Sequence, residues 1–161
     1  MNRLSFPGKF RELRWFLNVL VIILGGIAIA LGTLTTPSWA VDLAKQPLID
    51  VNVSLSNEAN ELVFVPAQVQ FTAGKHYRLH LTNPSSSKHY FTAKDFADAI
   101  WTQKVDAGNV EIKGAIHELE LRSGTAADWV FVPVRSGRYR LVCTVPGHTE
   151  AGMVGTLTIS P

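Results

Sequence analysis

A cysteine, a histidine and a methionine lie close together near the C-terminus, in the segment CTVPGHTEAGM. Cys143 is the only cysteine among the 161 residues, His148 follows it five positions later, and Met153 follows after five more. A thiolate, an imidazole and a thioether are all metal ligands. The residues between them are small or loop-forming, so one loop can bring the three side chains together. The spacing predicts a metal site, since a single cysteine cannot form a disulfide within its own chain.

The residues on either side of this segment alternate in the way that β-strands do. Before the segment, Tyr139, Leu141 and Cys143 fall on one face, and two arginines take the other. Because the arginines must face water, the pattern predicts that the cysteine points inward at the end of its strand. After the segment, Met153 and Leu157 fall on an apolar face in the same way. The thiol and the thioether should therefore face the same interior, with the histidine on the loop between them.

A thiolate, two imidazoles and a weakly bound thioether are the ligands of a mononuclear type 1 copper site. The soft sulfur favours Cu(I) and imidazole accepts Cu(II), so such a site can exchange one electron. Taken alone, an inward cysteine or methionine is usually a packing residue. Their occurrence with a histidine in one short loop favours a metal. Zinc is the less favoured ion, because methionine is not among its usual ligands.

The copper interpretation requires a second histidine. His89 begins a segment after a loop and alternates inward with Phe91, so it is the predicted ligand. His117 alternates with two leucines and is the competing candidate. His76 and His80 share a face with an arginine, which predicts that both lie at the surface. The choice between the candidates depends on these alternations alone.

From Leu48 onward the chain consists of short alternating segments separated by turns rich in glycine, proline and serine. This pattern predicts an all-β protein, an antiparallel β-sandwich. Thr92 and Asp95 have the spacing of a capping box, which predicts one short helix that continues to about Ile100. Phe96 is expected on the inner side of that helix.

Residues 1–40 have the layout of an export signal. Four basic residues precede an almost wholly apolar run over residues 16–34, and a small-x-small cleavage motif ends at Ala40. We expect cleavage after Ala40. The alternative is an uncleaved membrane anchor, because the run is about long enough to span a bilayer. In either case residues 41–161 form one exported domain in the periplasm or a lumen, either soluble or held at the outer face of the membrane.

The excess positive charge of the chain belongs to this first segment. The whole sequence has 15 Lys+Arg and 13 Asp+Glu. Once the four basic residues and one acid of residues 1–40 are set aside, 11 basic and 12 acidic residues remain. The remaining domain is about neutral and has no run of lysine or arginine, so we expect no nucleic-acid partner. We also expect the protein to be a monomer.

The segment GRYRLVCTVPGHTEAGMVGTLTI resembles the C-terminal copper loop of the cupredoxins, the blue copper proteins. The spacing Cys-x4-His-x4-Met is most similar to that of rusticyanin, and KHYFTAKDF resembles the segment with the first histidine ligand. The resemblance covers about Leu48 to Pro161 and implies a plastocyanin-like Greek-key sandwich of seven or eight strands with one type 1 copper ion. Many cupredoxins have an asparagine after the first ligand, which ties the two ligand loops together, whereas Tyr90 occupies that place here. The resemblance assigns the ligand roles to His89, Cys143, His148 and Met153.

This resemblance implies that the protein carries single electrons between redox partners such as cytochromes or an oxidase, in transient encounters. The alternative function is copper handling, as a carrier or accessory protein that supports assembly of a copper oxidase. We expect no enzymatic activity, because copper nitrite reductases and oxidases need further histidine-rich sites and the chain has five histidines in all. A binuclear copper site needs a second cysteine and is excluded. A buried site with four ligands favours electron transfer, and an exposed, exchangeable site favours delivery.

Overall fold

Residues 42–161 are the part of the chain that the structure, a computed structural model, describes. The predicted export signal or anchor of residues 1–40, with its cleavage site, lies outside the described residues. Among residues 42–161, none of the helices is both long enough and apolar enough to span a bilayer.

The described residues form eleven β-strands, one short α-helix and one 3-10 turn. Helix α1 covers Lys94–Ala97, and the 3-10 turn covers Leu43–Lys45. The strands, in chain order, are β1 (Ile49–Leu55), β2 (Phe64–Val65), β3 (Gln68–Thr72), β4 (Tyr77–Thr82), β5 (His89–Thr92), β6 (Ile100–Ala107), β7 (Val110–Ile112), β8 (Glu118–Leu121), β9 (Ala126–Pro133), β10 (Gly137–Val142) and β11 (Val154–Ser160). The number exceeds the seven or eight strands expected because it includes very short strands, such as β2 with two residues and β7 with three.

The strands form two sheets that enclose a common core. One sheet has the order β2-β1-β4-β9-β6-β7, and the other has the order β3-β11-β10-β5-β8. Two pairs of neighbours, β1 with β4 and β3 with β11, run parallel, and the other pairs are antiparallel. The all-β sandwich is confirmed, and it is antiparallel as expected except at these two pairs. Each parallel pair is connected through other strands, because a tight turn would reverse the chain direction.

Aromatic side chains fill the core between the sheets. The ring of Phe96, on α1, contacts the rings of Trp129 and Phe131 edge to face, at centroid separations of 6.3 Å and 5.5 Å. Tyr139 makes a third edge-to-face contact with Phe96 at 5.9 Å. Such pairs contribute about 0.5–1.5 kcal/mol each beyond the burial of their area. Phe96 is fully buried, as the sequence predicts, and it fixes the helix against both sheets.

The alternation predicted for the strand before the Cys–His–Met segment is confirmed. Along β10, Tyr139 and Leu141 are buried, whereas Arg138 and Arg140 are exposed. Cys143 continues the buried face just beyond the strand, with 0% of its surface exposed. The thiol therefore points into the protein, because the arginines occupy the face that is in contact with water.

The predicted capping box is wrong. The N-cap of α1 is Ala93, and no side chain makes a capping hydrogen bond there. The helix ends at Ala97, and Ile100 already belongs to β6. The hydroxyl of Thr92 donates instead to the carboxylate of Glu118, at 2.8 Å. The side chain that the sequence pattern assigns to the helix is therefore used by the neighbouring strand β8.

The two strands that lead to the predicted ligands meet along a narrow seam. β10 and β5 share one registered pair, Val142 with Thr92. By contrast, β10 pairs with β11 at six positions, and β5 pairs with β8 at four. With a single registered pair, main-chain hydrogen bonds join β5 and β10 only weakly. This seam lies beside Cys143, where the predicted ligands must be held in place.

Candidate metal centre

The Cys–His–Met segment forms a tight loop between β10 and β11. Cys143 directly follows β10, and Met153 directly precedes β11. The N–H of Cys143 donates to the carbonyl of Met153 at 3.3 Å, which closes the ends of the loop. The N–H of Met153 donates in turn to the carbonyl of His148 at 2.9 Å. These main-chain hydrogen bonds bring the three predicted ligands of the loop together.

Two glycines allow the loop to turn this sharply. Gly147 has a φ of +86° and Gly152 a φ of +101°, in the left-handed region that other residues adopt only at a cost. Between them, the N–H of Ala151 donates to the carbonyl of Gly147 at 3.0 Å. The hydroxyl of Thr149 donates across the loop to the carbonyl of Cys143 at 2.7 Å. The loop is therefore held by its own hydrogen bonds, and its shape does not depend on a bound ion alone.

Three potential metal-binding atoms converge beside this loop. The Nδ1 atom of His148 lies 3.4 Å from the Sγ of Cys143, and the Nδ1 atom of His89 lies 3.8 Å from the same sulfur. The ligand atoms of these three residues all lie within 4.8 Å of one another. His89 is the first residue of β5, so the fold brings it to a loop 54 positions further along the chain. Met153, which is fully buried, adjoins the group through its main chain.

The spacing and chemistry of these donors fit a copper ion. Imidazole nitrogens and thiolate sulfurs lie about 2.0–2.3 Å from a first-row metal, so donors in one plane around it are about 3.5–4 Å apart. The two distances from the sulfur of Cys143 agree with that spacing. One thiolate and two imidazoles with a thioether nearby is the donor set typical of a blue-copper site.

A hydrogen-bond network orients the ring of His89. Its Nε2 lies 3.0 Å from the hydroxyl oxygen of Ser85, and that hydroxyl lies 2.8 Å from the side-chain oxygen of Asn83. The side-chain nitrogen of Asn83 donates to the carbonyl of Leu121 on β8, at 2.9 Å. Burial lowers the pKa of His89, and the charge of the neighbouring His148 lowers it further. Both effects favour the neutral imidazole, which is the form that binds metals.

The sulfur of Cys143 accepts a hydrogen bond from the main chain of β5. The N–H of Tyr90 lies 3.4 Å from the Sγ. Within the loop, Pro146 has no N–H and cannot donate a second bond. Fewer hydrogen bonds leave a thiolate more electron-donating toward a metal. The main chain of Tyr90 therefore contacts the sulfur, although its side chain differs from the asparagine expected in the family.

Two of the other histidines contact carboxylates at the surface. The Nε2 of His117 lies 2.7 Å from a carboxylate oxygen of Asp98, outside the group of convergent donors. The Nδ1 of His80 lies 2.6 Å from a carboxylate oxygen of Asp128. The surface position predicted for His80 agrees with the structure, and the competing candidate His117 is not brought to Cys143.

The surface position predicted for His76 is wrong. Only 4% of this residue is exposed. Its Nδ1 lies 3.0 Å from the carbonyl oxygen of Gln46, and its Nε2 lies 2.8 Å from the side-chain oxygen of Gln103. His76 directly precedes β4, so the alternation within that strand does not govern it. It attaches the segment before β1 to the sheet.

Sequence reasoning missed the residues that support the ligands. Ser85 lies in the serine-rich loop NPSSSK, which has no pattern that distinguishes one hydroxyl from the next. Its position four residues before His89 was the only available signal. Glu118 was missed because its partners, Thr92 and Thr144, are each 26 positions away.

A two-sheet β-sandwich with a convergent thiolate and two imidazoles defines a copper-binding protein, and comparison with known proteins agrees. Residues 51–160 match the family described as copper binding proteins of the plastocyanin/azurin family. The chain belongs to this family, the cupredoxins, which confirms the resemblance and the copper cofactor predicted from the sequence. The particular likeness of the loop spacing to rusticyanin stays a prediction.

One curated relative is auracyanin-B of Chloroflexus aurantiacus, which is 30% identical over 131 residues. The match covers 78% of this chain and 54% of the relative, so the chain spans about half the length of that protein.

Two solved structures share the fold. The sodium-dithionite-reduced auracyanin from the photosynthetic bacterium Roseiflexus castenholzii has a TM-score of 0.51 at 18% identity, with 70% of this chain and 97% of that chain covered. A multicopper oxidase from Campylobacter jejuni, a metallo-oxidase, has a TM-score of 0.51 at 10% identity, with 72% of this chain and 30% of that chain covered. At these identities the two structures support the fold alone.

Proposed function

We propose that this protein is an exported electron carrier with one type 1 copper ion. When bound, copper supplies a centre that can gain or lose one electron at little structural cost. The side chains proposed to hold it are His89, Cys143, His148 and Met153. The thiolate and the two imidazoles supply the strong donors, and the thioether supplies the weak fourth donor.

The observation that carries this proposal is the unequal burial of the four side chains. His89 is 1% exposed, and Cys143 and Met153 are 0% exposed. His148 is half-buried and is the member of the set that reaches solvent. An ion held there leaves little room for a substrate to bind, whereas an electron can pass through the exposed imidazole edge. The site therefore suits electron transfer better than a reaction on a bound substrate.

The loop around His148 suits close approach by a redox partner. Pro146, Gly147, Ala151 and Gly152 are exposed, and none of them carries a charge. A small, uncharged surface of this kind fits a transient complex with little buried area. We propose redox proteins such as cytochromes or an oxidase as partners, with this chain acting as a monomer.

Copper handling is the second function to be tested. A protein that delivers copper needs an exposed site from which the ion can leave. The near-complete burial of three of the four side chains favours an electron carrier over a carrier of copper. The measured rate of copper exchange separates these two functions directly.

An enzymatic role has less support. Among residues 42–161, one group of convergent metal-binding side chains is present, formed by His89, Cys143 and His148. The multicopper oxidase that shares the fold is more than three times as long as the matched region, since the match covers 30% of that chain. We therefore propose that this chain transforms no substrate.

The proposed location follows from the sequence alone. The basic start and the apolar run over residues 16–34 support export of residues 41–161 to the periplasm or a lumen. Cleavage near Ala40 would release a soluble domain, and an uncleaved segment would leave it at the outer face of the membrane.

The experiment that tests the function uses the full chain loaded with one equivalent of Cu(II). We expect an intense blue absorption from thiolate-to-Cu(II) charge transfer, an EPR spectrum of a type 1 site, and one-electron reduction by a small redox protein. Slow copper loss to a chelator would support the electron carrier. A colourless loaded protein would contradict the type 1 site, and rapid copper loss would favour copper delivery.

A further inference from the structure

The seam between the two ligand-bearing strands is crossed by side chains behind the metal site. The hydroxyl of Thr92, the last residue of β5, donates to Oε2 of Glu118 at 2.8 Å. The hydroxyl of Thr144, which directly follows Cys143, donates to the same oxygen at 3.0 Å. Glu118 is the first residue of β8, so one carboxylate oxygen joins three segments of the chain.

The contact through Glu118 lies on the face of the sheet opposite to the face that carries the proposed ligands. Side chains alternate between the two faces of a strand, and His89 and Phe91 point inward on β5. By this alternation Thr92, which is 5% exposed and pairs with the exposed Glu118, belongs to the outer face. Thr144 belongs to the same face, because it follows the inward Cys143. The bridge through Glu118 lies on the outside of the second sheet, while the donors converge on the inside.

The geometry indicates that the carboxylate, and not the hydroxyls alone, makes the connection. The hydroxyl oxygens of Thr92 and Thr144 are 3.2 Å apart. Each hydroxyl has a single proton, and both protons point to Glu118 when both threonines donate to it. Hydrogen bonds to a charged acceptor are stronger than bonds between neutral groups. Without the carboxylate, one weaker hydroxyl–hydroxyl contact would remain.

The bridge occurs where the main chain contributes least. β5 and β10 share one registered pair, at Val142 and Thr92. We propose that Glu118 is a positioning residue that ties the two ligand-bearing strands through Thr92 and Thr144 and so holds Cys143 and His89 at their separation. The expected effect on copper binding rests on the proposed function, whereas the hydrogen bonds of Glu118 to the two threonines are present without a metal.

The chain provides a matched control for Glu118. Glu120 lies two positions further along β8, on the same face and with the same charge. Its carboxylate contacts the hydroxyl of Tyr90 and the ammonium group of Lys88, at 3.1 Å for the latter. Tyr90 lies on β5 and Lys88 directly precedes it, so these contacts of Glu120 do not reach the segment after β10. Loss of Glu120 removes an equivalent charge from the same strand and leaves the bridge across the seam intact.

The first test uses the metal-free full chain and hydrogen–deuterium exchange. We expect Glu118→Ala to increase exchange at the amides of residues 89–92 and 143–144 more than Glu120→Ala does. Thr144→Val removes the hydroxyl on the cysteine side and should have the same effect. Glu118→Gln keeps an acceptor oxygen but loses the charge, so its exchange should lie between that of the wild type and that of Glu118→Ala. Equal exchange in Glu118→Ala and Glu120→Ala would overturn the proposal.

The second test measures the loss of Cu(II) from the loaded full chain to an excess of chelator. Residues that support metal ligands typically change affinity or activity 10–100-fold when replaced. We expect Glu118→Ala and Thr144→Val to release copper about tenfold faster, near the lower end of that range, because Glu118 and Thr144 are exposed to water. Glu120→Ala should release it at about the wild-type rate, and Glu118→Gln at a rate between those of the wild type and Glu118→Ala. Unchanged release in Glu118→Ala would overturn the proposal even if exchange increased. A wild-type chain that never forms the blue site would instead contradict the proposed function, and the first test would still decide whether the tie exists.

Discussion

The hydroxyl oxygen of Ser85 lies 3.0 Å from the Nε2 of His89, the ring nitrogen that is not directed at Cys143. This contact fixes the tautomer of a metal-binding His89. A nitrogen that binds a metal carries no proton, so a neutral ring that binds through Nδ1 carries its proton on Nε2. That proton is then donated to Ser85, whose own hydroxyl proton goes to Asn83.

We predict that Ser85→Ala weakens copper binding about tenfold, since removing the partner of a metal-binding histidine typically costs 10–100-fold in affinity. The ring of His89 would lose the acceptor that fixes its orientation. The affinity can be measured by competition with a chelator of known strength. Ser87→Ala, at an exposed position in the same loop, is the control and should bind copper like the wild type. If both variants bind equally well, the contact with Ser85 does not orient the ligand.

Replacing the sulfur ligand should abolish the colour. We predict that Cys143→Ser has no intense absorption in the visible range after loading with Cu(II), because a serine hydroxyl is neither soft nor ionised at neutral pH. The variant should still fold, since serine is close in size to cysteine. Circular dichroism of the metal-free form would verify that. Retention of the blue band would show that another residue supplies the charge transfer.

The thioether should affect the potential more than the colour. We predict that Met153→Leu keeps the blue band and raises the reduction potential, because the loss of a donor disfavours Cu(II) more than Cu(I). A shift of about 59 mV corresponds to a tenfold change in the equilibrium for one electron, and we expect at least that much. Leucine fills a similar volume in this fully buried position, so packing should be retained. A potential equal to that of the wild type would remove Met153 from the ligand set.

The two candidate histidines can be separated by parallel substitutions. We predict that His89→Gln changes or abolishes the blue spectrum, because His89 lies in the group of donors around Cys143. His117→Gln should leave the spectrum unchanged, because its ring contacts Asp98 at the surface. Absorption and EPR spectra of the two copper-loaded variants provide the measurement. The opposite result would transfer the ligand role to His117.

Alternation along strands explains why so much of the site could be predicted from the sequence. Cys143 and His89 each follow the inward face of a strand, and their burial of 0% and 1% agrees with that parity. Parity works there because arginines or polar residues clearly mark the opposite face. It does not work for His76, which lies just outside β4 and is buried by partners 30 and 27 positions away.

The supports of the ligands could not be predicted, because they depend on contacts between distant segments. The N–H that reaches the sulfur of Cys143 belongs to Tyr90, and every residue except proline offers the same group. Thr92 has the spacing of a helix cap, yet its hydroxyl donates to the carboxylate of Glu118, and α1 has no side-chain cap. Local patterns therefore identify the ligands, and tertiary pairing decides what holds them.

The exposed edge of His148 should be the route by which electrons enter and leave. The other three proposed ligands are at most 1% exposed, so a partner can come closest to the ion over this ring. Ala151 is exposed beside it, and its N–H bonds to the carbonyl of Gly147 within the loop. We predict that Ala151→Lys slows electron exchange with a small redox protein and leaves the blue spectrum unchanged, because the long side chain blocks approach without contacting a ligand.

Glu150 is the only charge within the loop, so the wild-type rate should depend little on salt concentration. Stopped-flow kinetics at several salt concentrations would measure both effects. Val110→Lys, at an exposed position on β7 in the sheet that carries no proposed ligand, is a control for the added charge. If Ala151→Lys exchanged electrons as fast as the wild type, the route would have to lie at another part of the surface.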